Sequence, residues 1–216
     1  SRTSGATAPC RATAPITSAP KSHATSTGVS DFDRALTNVN SVLATEPANL
    51  EALTLKADIL RQQIGRAPDA TAKRALLTEM NETVRQAIAV DPADANVAVV
   101  RANAWALSVN EANLILRDDA QPEGASLPLF QTSIEFMPDS SQGHFGVGLA
   151  QLTQGNAVEA IAPLRRAVEI SPRDEFAAFY LGKALLAADQ GGEAITFLTE
   201  ASQRFPESAS IRADLL

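Results

Sequence analysis

Two 34-residue windows of this chain lie end to end and align without a gap. The first, Ser141–Asp174, reads SQGHFGVGLAQLTQGNAVEAIAPLRRAVEISPRD. The second, Glu175–Ser208, reads EFAAFYLGKALLAADQGGEAITFLTEASQRFPES. Gly148 pairs with Gly182, Ala160 with Ala194, Leu164 with Leu198, Ala167 with Ala201 and Pro172 with Pro206. Self-similarity at a fixed period of this length marks a stack of units, none of which buries its apolar face alone. Each window has room for two helices of about 13 residues and a tight turn. Small residues at Gly148 and Ala160 let the two helices approach. Ala167 returns to the face of Ala160 two turns later, where the next unit packs. Pro172 follows the second helix and cannot continue it. Gly155 in the first window, and Gly191 or Gly192 in the second, are expected to supply the turn between helices.

These small residues, glycines and prolines, coinciding twice at one period, resemble the tetratricopeptide repeat. His144 and Ala178 stand where that family often has tryptophan. The same grammar continues upstream in weaker form. Asp31–Pro47 reads as a lone second helix, with Ala35, Val42 and Pro47 at the spacings of Ala160, Ala167 and Pro172. Leu50–Gln63 reads as a first helix, with Ala57 at the small position. Thr71–Val90 reads as its partner, with Leu76, Leu77, Met80, Val84, Ala87 and Ile88 as an apolar stripe. The interval from Pro47 to Pro92 is 45, which implies about 11 inserted residues near Ile64–Ala72. The next unit, Ala95–Pro138, carries Ala102 and Trp105 on its first helix and an insertion over Val109–Gly124. Ser126 is the expected N-cap of its second helix, with Pro128 just inside. Ala209–Leu216 starts a further first helix. The expected fold is therefore all-α, a tetratricopeptide-like right-handed superhelix of antiparallel helix pairs over residues 31–216. Its repeats at 141–174 and 175–208 are regular, and those at 50–94 and 95–140 are degenerate and inserted.

The resemblance implies a concave groove lined by the first helices, with ligand-facing residues at the second, fifth and ninth places of each. Those are Glu51, Thr54 and Asp58; Asn96, Val99 and Asn103; Gln142, Phe145 and Leu149; Phe176, Phe179 and Lys183. Such a groove is acidic near Glu51, amide-bearing near Asn96 and Asn103, and apolar near Phe145 and Phe179. An extended or helical peptide is expected to place an apolar side chain between Phe145 and Phe179, with its backbone held by Asn103. The opposite reading packs those rings against neighbouring repeats. The family's carboxylate clamp needs several Lys, Arg and Asn residues. Only Asn103 and Lys183 are available, in distant repeats, so that clamp is not expected.

Composition narrows the chemistry. The single cysteine, Cys10, excludes an internal disulfide and a four-cysteine metal site, and two histidines, His23 and His144, leave little for a metal site or a relay. No cofactor, metal or catalytic residue is expected. Gly146-Val147-Gly148 falls inside a helix and does not follow a strand, so it is no phosphate loop. Asn81-Glu82-Thr83 fits a glycosylation sequon within an expected helix. Asp118-Asp119 reads as a solvated loop. The net charge is −7. Residues 1–30 hold Arg2, Arg11 and Lys21 and no acid, so residues 31–216 carry the whole acidic excess. An acidic body repels phosphate backbones, and no nucleic-acid partner is expected for it. No run approaches the length of a membrane span.

Residues 1–30 are rich in Ser, Thr, Ala and Pro. They read as a disordered or extended tether, extended where Pro9, Pro15 and Pro20 bias the backbone. The chain starts with serine and reads as a processed form or a fragment; such a tether favours a membrane-anchored parent, with periplasm and cytoplasm both open. The leading expectation is a non-catalytic protein-interaction module that takes a protein or peptide in its groove. Two alternatives stand beside it: a regulatory or sensory segment of a longer bacterial signalling protein, of the adenylate-cyclase-like or winged-helix kind, and an envelope assembly factor such as a cytochrome c maturation repeat domain.

Overall fold

The computed structural model describes residues 31–213. The expected tether, with Cys10 and His23, lies outside them, as do residues 214–216. The described residues form helices α1 (Asp31–Thr45), α2 (Leu50–Ile64), α3 (Ala70–Val90), α4 (Ala95–Leu116) and α5 (Leu127–Phe136). They continue with α6 (Ser141–Thr153), α7 (Ala157–Ile170), α8 (Glu175–Ala187), α9 (Gly191–Arg204) and α10 (Ala209–Ala213).

The starts of the even-numbered helices share one device. Pro47, Pro92, Pro138, Pro172 and Pro206 are each followed, two residues on, by Asn49, Asp94, Ser140, Asp174 or Ser208. Each of those side chains accepts a hydrogen bond from a first-turn amide: Ala52 to Asn49 at 3.0 Å, Val97 to Asp94 at 3.0 Å, Gly143 to Ser140 at 3.2 Å, Ala177 to Asp174 at 3.1 Å and Ile211 to Ser208 at 3.3 Å. Proline ends one helix and a capping side chain starts the next within a single turn. Of the odd-numbered helices, α5, α7 and α9 start without a side-chain cap. Ser126 occupies the expected N-cap position of α5, but its backbone is already helical and its hydroxyl makes no capping bond; Pro128 does lie in the first turn.

Consecutive helices pack antiparallel along the whole series. In addition α2 touches α4, α4 touches α6, α6 touches α8 and α8 touches α10. Among the described residues no pair of odd-numbered helices packs comparably. The even helices are thus the closer-spaced layer, and the stack curves with that layer inside. Close approach within a pair follows from the small residues. A Cβ on Gly148 would lie 2.4 Å from Leu164 Cγ, and one on Gly182 would lie 2.3 Å from Leu198 Cδ2. Ala160, Ala167, Ala194 and Ala201 are all buried. Gly146 serves a different contact: a Cβ there would meet the Phe130 ring of α5 at 2.2 Å.

Two expectations are corrected. The left-handed turn residue is Gly155 (φ +77°) in the first window, but Asp189 (φ 58°), not Gly191 or Gly192, in the second. Asp189 is the 34-residue equivalent of Gly155, and aspartate tolerates this region better than most side chains. Gly191 and Gly192 already belong to the first turn of α9. The insertions, second, are largely helical. Near Ile64–Ala72 the loop is only 65–69, and the added length lies in α3, which reaches 21 residues. Over Val109–Gly124 the helix α4 runs on to Leu116 because Val109, Ala112 and Ile115 continue its buried stripe; the loop is 117–126.

Candidate interaction groove

Helices α2 and α4 of the inner layer present their second, fifth and ninth residues side by side. Between α2 and α4 lies a cavity of about 390 Å3, lined by Glu51, Thr54, Leu55, Asp58, Asn96, Val99, Val100 and Asn103. The structure thereby brings together all six expected residues of the first two units. Val99 is 60% exposed although apolar. Asp58 is already engaged: Arg61 Nε donates to Oδ1 at 2.9 Å and Gln62 Nε2 to Oδ2 at 2.8 Å. The Thr54 hydroxyl donates to the Leu50 carbonyl at 3.0 Å. Among the described residues the Glu51 carboxylate and the Asn96 and Asn103 side-chain amides have no such partner. Seven residues along one helix separate the two amides by about 10 Å.

A second cavity of about 610 Å3 lies between α6 and α8, lined by Leu149, Leu152, Thr153, Tyr180, Lys183, Leu186 and Ala187. It contains two of the expected residues, Leu149 and Lys183. The Lys183 ammonium lies 5.3 Å from the centre of the Phe179 ring, a cation–π arrangement that leaves its charge available. A third cavity, of about 470 Å3, lies where α4 meets the start of α6 and includes Arg101, Trp105, Met137 and the expected Gln142. Trp105 Nε1 donates to the Ser140 hydroxyl at 3.0 Å and so ties α4 to the cap of α6.

The expected slot between Phe145 and Phe179 is filled. Tyr180 makes edge-on ring contacts with both, at centroid distances of 5.7 Å to Phe145 and 5.2 Å to Phe179. Both phenylalanines are half-buried against core clusters. The neighbour these rings meet is thus Tyr180, and Asn103 lies with the α2/α4 cavity. Phe176 lines none of these cavities and stands 71% exposed at the start of α8. Sequence reasoning passed over Tyr180, Leu186 and Leu152. Periodicity gave a signal for Tyr180: its 34-residue equivalent is Gly146, which makes way for Phe130.

The residues set aside as non-functional also have definite places. His144 Nε2 lies 2.8 Å from the Pro138 carbonyl. Asn81 of the sequon is buried, and its amide donates to the Ser108 hydroxyl at 3.1 Å. Asp118 is exposed, and hydrogen bonds from the Gln121 side chain and the Ala120 amide lower its pKa. Unforeseen was a buried carboxylate, Glu111, held between Lys73 at 2.7 Å and Arg74 at 3.0 Å. Burial alone would raise the Glu111 pKa; the hydrogen bonds and charges of Lys73 and Arg74 outweigh it, and the net shift is downward. Arg74 also donates to Gln121 at 3.0 Å, which pins the 117–126 loop to α3. Among the described residues no cluster of His, Cys, Asp and Glu has a metal-binding arrangement, and no helix is long and apolar enough to cross a membrane.

Helix pairs that pack on their neighbours and expose one concave layer define a helical-repeat protein, an architecture whose usual role is to hold other proteins. Residues 125–175 match the family model for the tetratricopeptide repeat. Solved structures with similarity include MamA, with 19% identity over 83% of this chain and 85% of that one at a TM-score of 0.43. YrrB, described as a TPR protein with an unusual peptide-binding site, has 15% identity over 86% and 84% of the two chains, at a TM-score of 0.41. A thermophilic TPR protein of Thermus thermophilus has 20% identity over 86% and 89%, at 0.40. No curated protein matches the sequence.

Proposed function

We propose that residues 31–216 act as one repeat domain, a non-catalytic adaptor that holds an extended segment of a partner protein against its inner layer. The observation that carries this reading is the α2/α4 cavity. It sets two unpaired side-chain amides, Asn96 and Asn103, around the exposed Val99. An amide offers both donors and acceptors, which suits the backbone of an extended chain, and Val99 offers apolar surface to one side chain.

Panning of a phage-displayed random peptide library on the full chain tests the reading. Enriched peptides should lose at least about tenfold in affinity with Asn103→Ala or Val99→Glu. Val158→Glu, at an exposed position on the outer helix α7, should leave binding unchanged. Failure to enrich any peptide, or equal sensitivity to the inner and outer substitutions, would exclude the groove.

A further inference from the structure

The α2/α4 and α6/α8 cavities carry opposite charge, while the cavity between them, where α4 meets α6, is lined by both Arg101 and Asp139. The α2/α4 cavity is lined by Glu51 and Asp58 and by no cation. Arg61 offsets Asp58 across a 2.8 Å ion pair, which leaves Glu51 as its uncompensated charge. The α6/α8 cavity is lined by Lys183 and by no carboxylate. Among the described residues Lys183 makes no ion pair, its one charge contact being the Phe179 ring. Its other walls are mainly apolar, with Leu149, Leu152 and a 39% exposed Leu186.

On the groove reading above, we propose that the partner segment is charge-polarised. A lysine or arginine enters the α2/α4 cavity, its stem on Leu55 and Val99 and its cation on Glu51. At the other end a large aliphatic side chain enters the α6/α8 cavity, followed by a carboxylate on Lys183. The spacing follows from the fold. The two cavities are separated by two inner-layer helix spacings, roughly 20 Å at 8–10 Å each. An extended chain rises about 3.3 Å per residue, so the two anchors stand about six residues apart. The like-charge arrangement is disfavoured at both ends, which gives the groove a sense of direction.

Fluorescence polarisation with two pools of capped octapeptides tests this. One pool carries Arg at one end and Leu-Asp at the other, in both chain directions; the second has Arg and Asp exchanged. The full chain should bind the first pool at least about tenfold more tightly, and the preference should fade as salt screens it. Glu51 and Lys183 are both exposed, so the double variant Glu51→Lys, Lys183→Glu should retain its helical circular dichroism. It should bind the second pool better than the first. Equal affinity of the wild-type chain for both pools would overturn the charge register, while phage-selected peptides sensitive to Asn103→Ala would still uphold the groove. Self-association in sedimentation that disappears with Glu51→Lys would overturn the proposal in favour of a second copy of this chain.

Discussion

Gly148 and Gly182 sit where a methyl group would have to enter the space of Leu164 and Leu198. Gly148→Ala and Gly182→Ala should each lower stability by ~1–3 kcal/mol, read from urea denaturation. Ala160→Leu and Ala194→Leu overpack the same helix pairs and should cost a similar ~1–3 kcal/mol; an unchanged melting temperature would contradict the register. Gly155→Ala meets no atom within 4 Å, so any loss there measures the left-handed backbone alone. Glu111 supplies a pH-dependent term. Its pKa is lower in the folded chain than in the unfolded one, so its stabilisation is present above the unfolded value and is lost as pH falls through the folded one. Glu111→Gln should therefore destabilise by ~1–3 kcal/mol at neutral pH, with a gap that closes in acid. A gap independent of pH would remove the ion pairs as its cause. The Glu111 ion pairs are not legible in the sequence: Glu111 is the one charged residue between Arg101 and Arg117, and its partners Lys73 and Arg74 lie on another helix.

At the scale of elements, the prolines mark the ends of helices, but they are only half of each signal. The cap two residues after each proline repeats five times, from Asn49 to Ser208, and is as regular as the proline itself. Asp94→Ala and Asp174→Ala should each cost about 1 kcal/mol, measured as a drop in the denaturation midpoint. The repeat period gave the helix pairs directly, because small residues at fixed spacing have only one packing use. It could not place the inserted residues, since added length can extend a helix or a loop. The buried stripe of Val109, Ala112 and Ile115 decides in favour of helix. The Phe145–Phe179 slot failed for a related reason. A register assigns faces to residues of one helix but does not show which neighbour fills the space, and here Tyr180 does. Phe145→Ala combined with Phe179→Ala should thus lower the melting temperature as well as any affinity, by roughly 1–3 kcal/mol for two half-buried rings. An unchanged melting temperature would return those rings to the ligand.

For the molecule as a whole, stability is carried by neighbours. Hydrogen exchange should be slowest in α3 and α4, where long helices share Met80, Val84, Val100 and Ala104 in one cluster. It should be fastest in α10, whose single buried side chain is Ile211. Equal protection along the series would mean that the stack opens all at once. Among the described residues the inner contacts run from each even helix to the next, and no central body braces the two ends. Such a coil is elastic: small rotations at each joint add up along its length, and little force is needed to lengthen or tighten it. The spacing of the α2/α4 and α6/α8 cavities, and with it that of the anchors proposed above, then follows the angles of those joints.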